Sequence, residues 1–300
     1  MIEVSQVVKT FGDFRALDEL SMNVPTGSIY GLVGPNGAGK STILRHLCGT
    51  YRQDSGTLTV DGETIYENPA VKSRVFTIPD DLYYFLSAST RDMAKFYEGI
   101  YPRFDRKRYE ALKEAFPAVN EKAPIRRLSK GMQKQSAFWL ALCCNPDLLV
   151  LDEPVDGLDP VMRRQVWSLL MSDVSEYNTT VLVSSHNLRE LEDVCDHVGI
   201  LSRGKVLLER SLTELQEGIV KIQAAFAEPG EPELPAGLQV LHTARLGRVF
   251  TYIVRGKSED VVNQFSTLRP ILLEALPLTL EEIFIYELGG EDYGVRDIVL

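Results

Sequence analysis

Short apolar runs alternate with amphipathic helical stretches through the first 210 residues. Three of the runs, at 29–33, 148–151 and 181–183, are apolar throughout and bounded by turn residues. Such runs are typical of parallel strands that helices cover on both faces. The alternation predicts an α/β domain with a mostly parallel sheet over residues 1–210.

The chain opens with a strand-rich stretch that does not follow the parallel pattern. Residues 57–65 read Thr-Leu-Thr-Val-Asp-Gly-Glu-Thr-Ile. An Asp-Gly pair between two strand-like runs is a strong signal for a hairpin. We therefore expect a small antiparallel β subdomain beside the parallel sheet.

Residues 80–145 are predicted to form a helical subdomain that is rich in aromatic rings. Nine of the chain's 24 Phe and Tyr residues fall between positions 83 and 116. The simplest interpretation is that most of these rings form the subdomain's core. Aromatic side chains beyond the needs of that core would form a docking surface. The segment expected to contribute to this surface is Tyr83, Tyr84, Phe85 and Leu86.

The hydrophobic pattern restarts after residue 209. A strand-like run at 219–226 precedes a Pro/Glu/Gly stretch at 228–237, a strand pair within 238–254, and helical runs at 258–268 and 280–288. We interpret 219–288 as a separate small α+β domain, and we find no catalytic constellation in it.

Composition and charge narrow the class of protein. Hydrophobic residues make up 44% and charged residues 25% of 300 residues, which is ordinary globular usage and excludes a disordered or collagen-like chain. The formal charge of −10 disfavours a nucleic acid as the main partner. Residues 211–300 carry 7 basic and 14 acidic side chains, a net charge of −7, which leaves −3 for the first 210 residues. Two modules with different surfaces would produce that split.

The expected location is the cytosol. The longest apolar run spans residues 137–144, whereas a membrane-spanning helix needs about 20 apolar residues. The first residues show no basic stretch followed by an apolar one, so no secretory signal is expected. The four cysteines form no Cys-x-x-Cys pair, and we expect reduced, mostly buried thiols.

A phosphate-binding loop stands between the first apolar run and a helical stretch. It matches G-x-x-x-x-G-K-[ST] and comprises Gly34, Pro35, Asn36, Gly37, Ala38, Gly39, Lys40, Ser41 and Thr42. Its glycines allow successive backbone N–H groups to point inward, and the following helix directs its positive end to the same place. We expect Lys40 to reach the β- and γ-phosphates and Ser41 to ligate Mg²⁺.

Two acidic residues, Asp152 and Glu153, end the apolar run at 148–151. In an open α/β sheet, this places them where ligands bind, beyond the carboxyl ends of the strands. Asp152 suits the Mg²⁺ shell and Glu153 suits a general base for water. The phosphate loop by itself leaves ATPases, GTPases and small-molecule kinases open.

Three further motifs complete an ordered set that resembles the ATP-binding cassette (ABC) family. Leu128-Ser-Lys-Gly-Met-Gln133 is similar to the family's L-S-G-G-Q signature, Asp156-Gly-Leu-Asp-Pro160 to its D-loop, and Ser184-Ser-His-Asn187 to its switch histidine. Each short motif is weak alone, but their order after the phosphate loop is highly specific. The resemblance covers residues 1 to about 210 and implies a P-loop NTPase cassette.

The resemblance implies two cassettes that meet head to tail around two Mg-ATP molecules. Ser129 and Gly131 of one chain would then close in trans over the γ-phosphate held by the other. It also implies that His186 contacts and senses the γ-phosphate, and that Phe11 stacks on adenine. The competing interpretations are a structural histidine and an ordinary core phenylalanine.

The chain departs from the family pattern at three positions. The strand-like run 75–78 is followed by Pro79 and Asp80, whereas the family usually has Gln there. In the family, that Gln links the metal and the attacking water to the membrane partner. We therefore take Asp80 as a candidate nucleotide-site residue and expect its shorter, charged side chain to alter the coupling to that partner. The signature has Lys130 in place of Gly and Met132 in place of Gln.

The resemblance implies an ATP-hydrolysing subunit, a homodimer or heterodimer, that drives a separate integral membrane permease. The domain at 219–288 is similar to the accessory region of bacterial exporter subunits, so export is expected, with membrane contact through the permease at the cytoplasmic face. The alternative is a soluble cassette ATPase acting on nucleic acid or the ribosome. A third class, a regulator that binds ATP without turnover, is disfavoured because Glu153 and His186 are present.

Overall fold

A computed structural model describes residues 1–227, 232–235 and 237–287, and within these ranges the chain forms two compact units. The first unit consists of Met1–His186 and Val194–Glu209. The second joins Asn187–Asp193 to the chain after Glu209. Part of the predicted stretch 228–237 and the predicted helix end at Leu288 lie outside the described residues.

The elements alternate between strands and helices in the first unit. Its strands are β1 (Ile2–Phe11), β2 (Phe14–Val24), β3 (Ile29–Val33), β4 (Ser55–Val60), β5 (Glu63–Thr64), β6 (Val75–Ile78), β7 (Leu148–Asp152), β8 (Thr180–Ser185), β9 (His197–Ser202) and most of β10 (Lys205–Ser211). Its helices are α1 (Lys40–Leu47), α2 (Pro69–Lys72), α3 (Thr90–Glu98), α4 (Arg106–Leu112), α5 (Lys130–Cys143) and α6 (Pro160–Tyr177), with a 3-10 turn at Ile125–Arg127.

A six-stranded sheet, ordered β10-β9-β3-β8-β7-β6, forms the centre of the first unit. The pairs β3–β8, β3–β9, β6–β7 and β7–β8 are parallel. The residues of β3 are buried throughout, as the apolar run predicted. Because β3, β7 and β8 run in the same direction, their carboxyl ends, at Val33, Asp152 and Ser185, lie along one edge of the sheet.

The predicted antiparallel subdomain is confirmed as a sheet in the order β2-β1-β4-β5. Asp61 and Gly62 join β4 to β5 with φ angles of 51° and 77°, the left-handed conformation that a two-residue hairpin requires. At the other hairpin, Phe11 pairs with Phe14 across a tight turn between β1 and β2.

Aromatic rings form the core of the helical subdomain, as the simplest interpretation predicted. Trp139 of α5 stacks on Tyr109 at 4.7 Å and donates its Nε1–H to the Tyr109 carbonyl at 2.9 Å. The ring of Phe116 also packs on Trp139, with ring centroids 6.2 Å apart. These buried rings pack α4 and the segment after it against α5, the helix that begins in the signature motif.

The segment 83–86 is divided between core and surface. Tyr84 is buried, whereas Tyr83, Phe85 and Leu86 are 84%, 59% and 81% exposed. Burial also raises the pKa of the Tyr84 phenol above its ordinary value. Tyr84 therefore belongs to the subdomain's core, and the exposed remainder of the segment is Tyr83, Phe85 and Leu86.

The second unit contains a four-stranded antiparallel sheet in the order β12-β13-β11-β14. Its elements are α7 (Leu212–Gly218), β11 (Ile219–Ala225), β12 (Gln239–Leu246), β13 (Val249–Arg255), α8 (Ser258–Ser266), β14 (Leu272–Leu276) and α9 (Leu280–Glu287). A compact core holds Ile222 of β11, Tyr252 of β13 and Phe265 of α8. The sequence did not predict β14, whose residues are half-buried or exposed at the sheet edge.

The second unit also includes a 3-10 turn, Leu188–Glu190, that begins two residues after His186. Arg189 in this turn forms an ion pair with Glu281 of α9 at 2.9 Å. Glu192 accepts a hydrogen bond from the Leu280 backbone N–H at 3.0 Å. The segment Asn187–Asp193 is therefore attached to α9 through the side chains of Arg189 and Glu192.

All four cysteines are free thiols, and three of them are buried. Burial raises the pKa of Cys48 to about 11 and that of Cys143 to about 12, so both thiols are protonated at neutral pH. Within the described ranges, no helix combines the length and the apolar character that a membrane crossing requires.

Candidate functional site

The phosphate loop lies between β3 and α1. Gly39 adopts a φ of 112° at the N-cap of α1, and a Cβ there would come within 2.9 Å of the Ala16 carbonyl. A Cβ on Gly34 would come within 2.2 Å of the Leu201 carbonyl. No side chain caps α1, so its first N–H groups face the loop and provide an anion-binding concavity.

Lys40 lies inside this concavity and is 6% exposed. Its Nζ donates a hydrogen bond to the Gly34 carbonyl at 2.6 Å, and the Pro35 carbonyl is 3.4 Å away. The Lys40 ammonium is also 3.6 Å from Oε1 of Glu153. A buried cation held by the loop's own carbonyls is the arrangement that a polyphosphate chain fits.

The two acids predicted from the sequence lie at the end of β7. Asp152 accepts a hydrogen bond from the Ser184 hydroxyl of β8 at 2.5 Å. Glu153 donates its backbone N–H to the Ser184 carbonyl at 3.2 Å and has a φ of 45°, which is unusual for a residue with a side chain. Thus β8 aligns both acids.

The Glu153 carboxylate lies between Lys40 and His186. Its Oε2 is 2.9 Å from Nδ1 of His186, whose side chain is half-exposed, while the Glu153 side chain is 13% exposed. The structure therefore brings the phosphate loop, the paired acids and the histidine together, although they are far apart in the sequence. Asp156 lies beside them, with a carboxylate oxygen within 4.8 Å of ligand atoms of Glu153 and His186.

A cavity of about 270 Å³ lies beside the phosphate loop and the paired acids. It is lined by Phe14, Ala16, Pro35, Asn36, Gly37, Gly39, Lys40, Ser41, Thr42, Asp80, Asp152 and Glu153. Ser41 and Asp152 both line it, and hydroxyl and carboxylate oxygens are the ligands that Mg²⁺ prefers. The donor set of this cavity therefore fits a magnesium ion bound together with phosphates.

Two residues of the signature motif lie away from this cavity. Ser129 is exposed and caps α5, accepting a hydrogen bond from the Met132 N–H at 3.3 Å. A Cβ on Gly131 would come within 2.9 Å of the Gly157 carbonyl, so a glycine is needed for the close approach of α5 to the loop after Glu153. Neither residue is among those described as lining the phosphate-loop cavity.

Two aromatic residues lie at the β1–β2 hairpin. Phe11 is 43% exposed, and its ring contacts Tyr51 edge to face at 5.5 Å. Phe14, its partner across the hairpin, lines the cavity and is 63% exposed. Sequence reasoning chose Phe11 and missed Phe14, although an aromatic residue shortly after the Gly12-Asp13 turn was a usable signal.

Asp80 lies between two cavities. It lines the phosphate-loop cavity and also a larger one of about 480 Å³, whose wall includes Lys130, Gln133 and Gly157. Its Oδ1 is 3.5 Å from Nζ of Lys134, which also donates a hydrogen bond to the Glu153 carbonyl at 2.6 Å. Sequence reasoning missed Lys134, although it begins the buried part of α5 and, after Lys130, is that helix's second charge.

Comparisons with known proteins agree with the fold and with the motifs. Residues 17–156 match the family model described as ABC transporter. The chain is 31% identical over 294 residues to the ABC transporter ATP-binding protein YtrB of Bacillus subtilis (strain 168), covering 97% of this chain and 99% of YtrB. It is 30% identical to the Nod factor export ATP-binding protein I of Sinorhizobium fredii (strain NBRC 101917 / NGR234), covering 97% and 86%.

A solved structure shows the same fold. A dimeric ATP-binding cassette in a post-hydrolysis state, bound to ADP and Pi, superimposes with a TM-score of 0.62 at 21% identity. The superposition covers 71% of this chain and 99% of that one. The prediction of a P-loop NTPase cassette is thereby confirmed.

Proposed function

Because the chain belongs to the ABC transporter family as an ATP-binding, ATP-hydrolysing subunit, we propose that it drives export through a separate membrane permease, with Glu153 as its general base. The observation that carries the proposal is the position of the Glu153 carboxylate, 3.6 Å from the Lys40 ammonium and 2.9 Å from His186. Export is supported by the name of the Nod factor relative.

In the proposed mechanism, the phosphates of ATP bind along the loop, whose N–H groups and Lys40 offset their charge. Glu153 accepts a proton from the attacking water, which contributes about 10² to 10⁴ in rate. His186 orients the Glu153 carboxylate and contacts the γ-phosphate. Ser41 and Asp152 would hold Mg²⁺, which supplies charge neutralisation on the phosphates when bound.

The proposed active assembly is a dimer of cassettes, identical or different. Ser129 is exposed at the N-terminus of α5, and half-buried Gly131 follows it in the first turn. In the proposed dimer, this end of α5 meets the nucleotide held by a second chain. A serine hydroxyl at a helix N-terminus is suited to an anionic γ-phosphate. In this proposal each active site uses the phosphate loop of one chain and the signature motif of the other.

The exposed residues Tyr83, Phe85 and Leu86 are the proposed docking surface for the permease. They follow the Asp80 loop directly, and large exposed apolar side chains in one short segment are typical of a protein contact. Binding to the permease would place the subunit at the cytoplasmic face of the membrane. The alternative of a partner nucleic acid or ribosome is not favoured, because the relatives named above are transporter proteins and the charge is −10.

Glu153→Gln tests the general base. Since the amide cannot accept a proton but occupies the same volume, we expect unchanged ATP affinity, at least about 100-fold lower phosphate release, and an accumulated ATP-bound dimer. Phosphate release and size-exclusion chromatography measure these effects. Glu98→Gln, the same change at an exposed site, is the control. Hydrolysis by Glu153→Gln at the wild-type rate would place the base elsewhere.

Leu86→Ser tests the docking surface. Leu86 is 81% exposed, so the substitution should leave the melting temperature and basal hydrolysis unchanged while reducing co-purification with membranes that contain the permease. Leu246→Ser, at a leucine that is 87% exposed in β12, is the matched control. Equal membrane association of the two variants would exclude Leu86 from the interface.

A further inference from the structure

Lys134 is a buried cation whose role the motifs do not explain. Its side chain is 7% exposed, within a helix whose following residues, 135–143, are all buried. An ammonium group in such a place needs partners, because burial removes its hydration. The described partners are the Glu153 carbonyl at 2.6 Å and the Asp80 carboxylate at 3.5 Å.

The first of these partners belongs to the residue proposed as general base. Glu153 adopts a φ of 45°, a left-handed conformation that residues with a Cβ rarely adopt without support. The Glu153 N–H donates to the Ser184 carbonyl at 3.2 Å, and the Glu153 carbonyl accepts from the Lys134 ammonium at 2.6 Å. Because the backbone conformation sets the direction of the side chain, these two contacts aim the carboxylate at Lys40 and His186.

The second partner lies in the loop that follows β6. The Asp80 side chain is 58% exposed and borders both the phosphate-loop cavity and the 480 Å³ cavity. Lys134 is thus shared between a fixed contact with the backbone of Glu153 and a longer contact with an exposed acid. If Asp80 moved away, the Lys134 ammonium would lose its counter-charge. Its hydrogen bond to the Glu153 carbonyl would then be the remaining described contact.

We propose that Lys134 is a positioning residue for ATP hydrolysis, which holds the Glu153 backbone in its left-handed conformation and makes that placement depend on Asp80. This inference rests on the proposed role of Glu153 as general base. At the position where the family usually has Gln, Asp80 would thus supply the counter-charge of Lys134. The Asp80 loop acts on the carboxylate through Lys134 and the backbone.

The test uses the full chain and the substitution Lys134→Met, which keeps an unbranched apolar side chain and removes the ammonium group. We expect kcat for ATP to fall at least 10-fold while the affinity for ATP, measured by equilibrium binding, stays within two-fold. Lys72→Met is the matched control, since Lys72 likewise donates to a backbone carbonyl, that of Gly49 at 2.9 Å. A wild-type kcat for Lys134→Met would overturn the proposal, as would an equal loss in both variants.

Asp80→Asn provides a second arm that does not alter a buried residue. It should lower kcat about three-fold or more in the wild-type background and have no further effect in Lys134→Met, because both changes break one linkage. Asp81→Asn, at the adjacent exposed acid, is the control and should leave kcat unchanged. Equal effects of Asp80→Asn in both backgrounds would show that Asp80 acts independently of Lys134.

The melting temperature of each variant separates a positioning effect from loss of the fold. If Lys134→Met does not fold, the comparison of Asp80→Asn with Asp81→Asn decides, and an unchanged kcat for Asp80→Asn overturns the inference. Glu153→Gln distinguishes the inference from the proposed function. Wild-type hydrolysis by Glu153→Gln removes the base assignment, whereas inactive Glu153→Gln with fully active Lys134→Met removes only the role of Lys134.

Discussion

The two units of the chain differ in what they bury. Among the residues that the structure describes, the buried charged side chains are Lys40, Glu121, Lys134 and Asp173, and all four lie in the first unit. The buried side chains described in the second unit are aliphatic or aromatic, as in the cluster around Ile222 and Phe265.

Among the described residues, the first unit is therefore the part of the chain that holds buried charges in defined positions. A buried charge is costly unless it is paired, so each must be matched by partners from other elements. Lys40 and Lys134 are matched by backbone carbonyls at the site, and Glu121 and Asp173 are matched by basic side chains in and near the helical subdomain. The second unit is held together by apolar packing.

Among these variants, Asp173→Ala in the first unit is expected to lower the free energy of unfolding the most. Asp173 of α6 is 1% exposed and forms an ion pair with Arg108 of α4, and burial raises the pKa of this carboxyl despite the pairing. Removing one partner leaves the Arg108 guanidinium without its counter-charge, so we expect about 4 kcal/mol of lost unfolding free energy. Chemical denaturation measures it, with exposed Glu176→Ala as the control. A loss below about 1 kcal/mol would contradict the importance of the buried pair.

A smaller loss of stability, without loss of chemistry, is expected from Ile222→Ala in the second unit. Ile222 is fully buried in β11 opposite Tyr252 of β13, and the resulting cavity should cost about 3 kcal/mol. Below the unfolding transition, kcat for ATP should stay within two-fold of wild type. Reduced kcat in a folded Ile222→Ala protein would show that the second unit contributes to hydrolysis.

Glu121→Gln tests the contribution of a buried charge in the first unit through the pH dependence of stability. Burial alone would raise the pKa of Glu121, but hydrogen bonds from Lys113, Arg91 and Tyr109 outweigh it and lower the pKa to about 2. The stabilisation is therefore complete above about pH 4.5 and is lost as the pH falls towards 2.

At neutral pH we expect Glu121→Gln to cost about 2 kcal/mol, the typical value of hydrogen bonds to a charged group. Denaturation series at several pH values should show the gap between wild type and variant shrinking between pH 4.5 and 2. A gap that stays constant over this range would mean that the charge of Glu121 contributes nothing.

The smallest expected effect concerns the two aromatics at the β1–β2 hairpin. If Phe11 stacks on adenine, Phe11→Ala should weaken ATP binding by about 1 kcal/mol, roughly five-fold in Kd, and leave kcat at saturation unchanged. Phe14→Ala is the matched variant, because Phe14 is the one of the pair that lines the phosphate-loop cavity. A loss confined to Phe14→Ala would return Phe11 to a packing role.

The sequence predicted those features whose information lies within a short stretch of chain. The apolar runs identified β3, β7 and β8, and the phosphate loop was readable because its residues are contiguous between a strand and a helix. The strand β14 escaped prediction because it lies at the sheet edge and its Leu-Leu-Glu-Ala-Leu residues show no clear alternation of burial.

Features that depend on distant residues were not predictable in this way. Lys134 is 19 residues from Glu153, and only the folded chain brings the Lys134 ammonium to the Glu153 carbonyl. The left-handed conformation of Glu153 was equally hidden, since nothing about a glutamate in a sequence indicates a positive φ. The membership of Asn187–Asp193 in the second unit likewise arises from contacts with residues about 90 positions later.

The attachment of Asn187–Asp193 to α9 has a practical consequence for anyone who shortens this chain. A protein cut after Glu209 would retain Arg189 and Glu192 but lose Glu281 and the Leu280 N–H that they contact. The segment begins at the residue after His186, so in a cassette prepared alone the chain next to the histidine would lack these two contacts. Kinetic constants measured on such a fragment should therefore be compared with those of the intact chain.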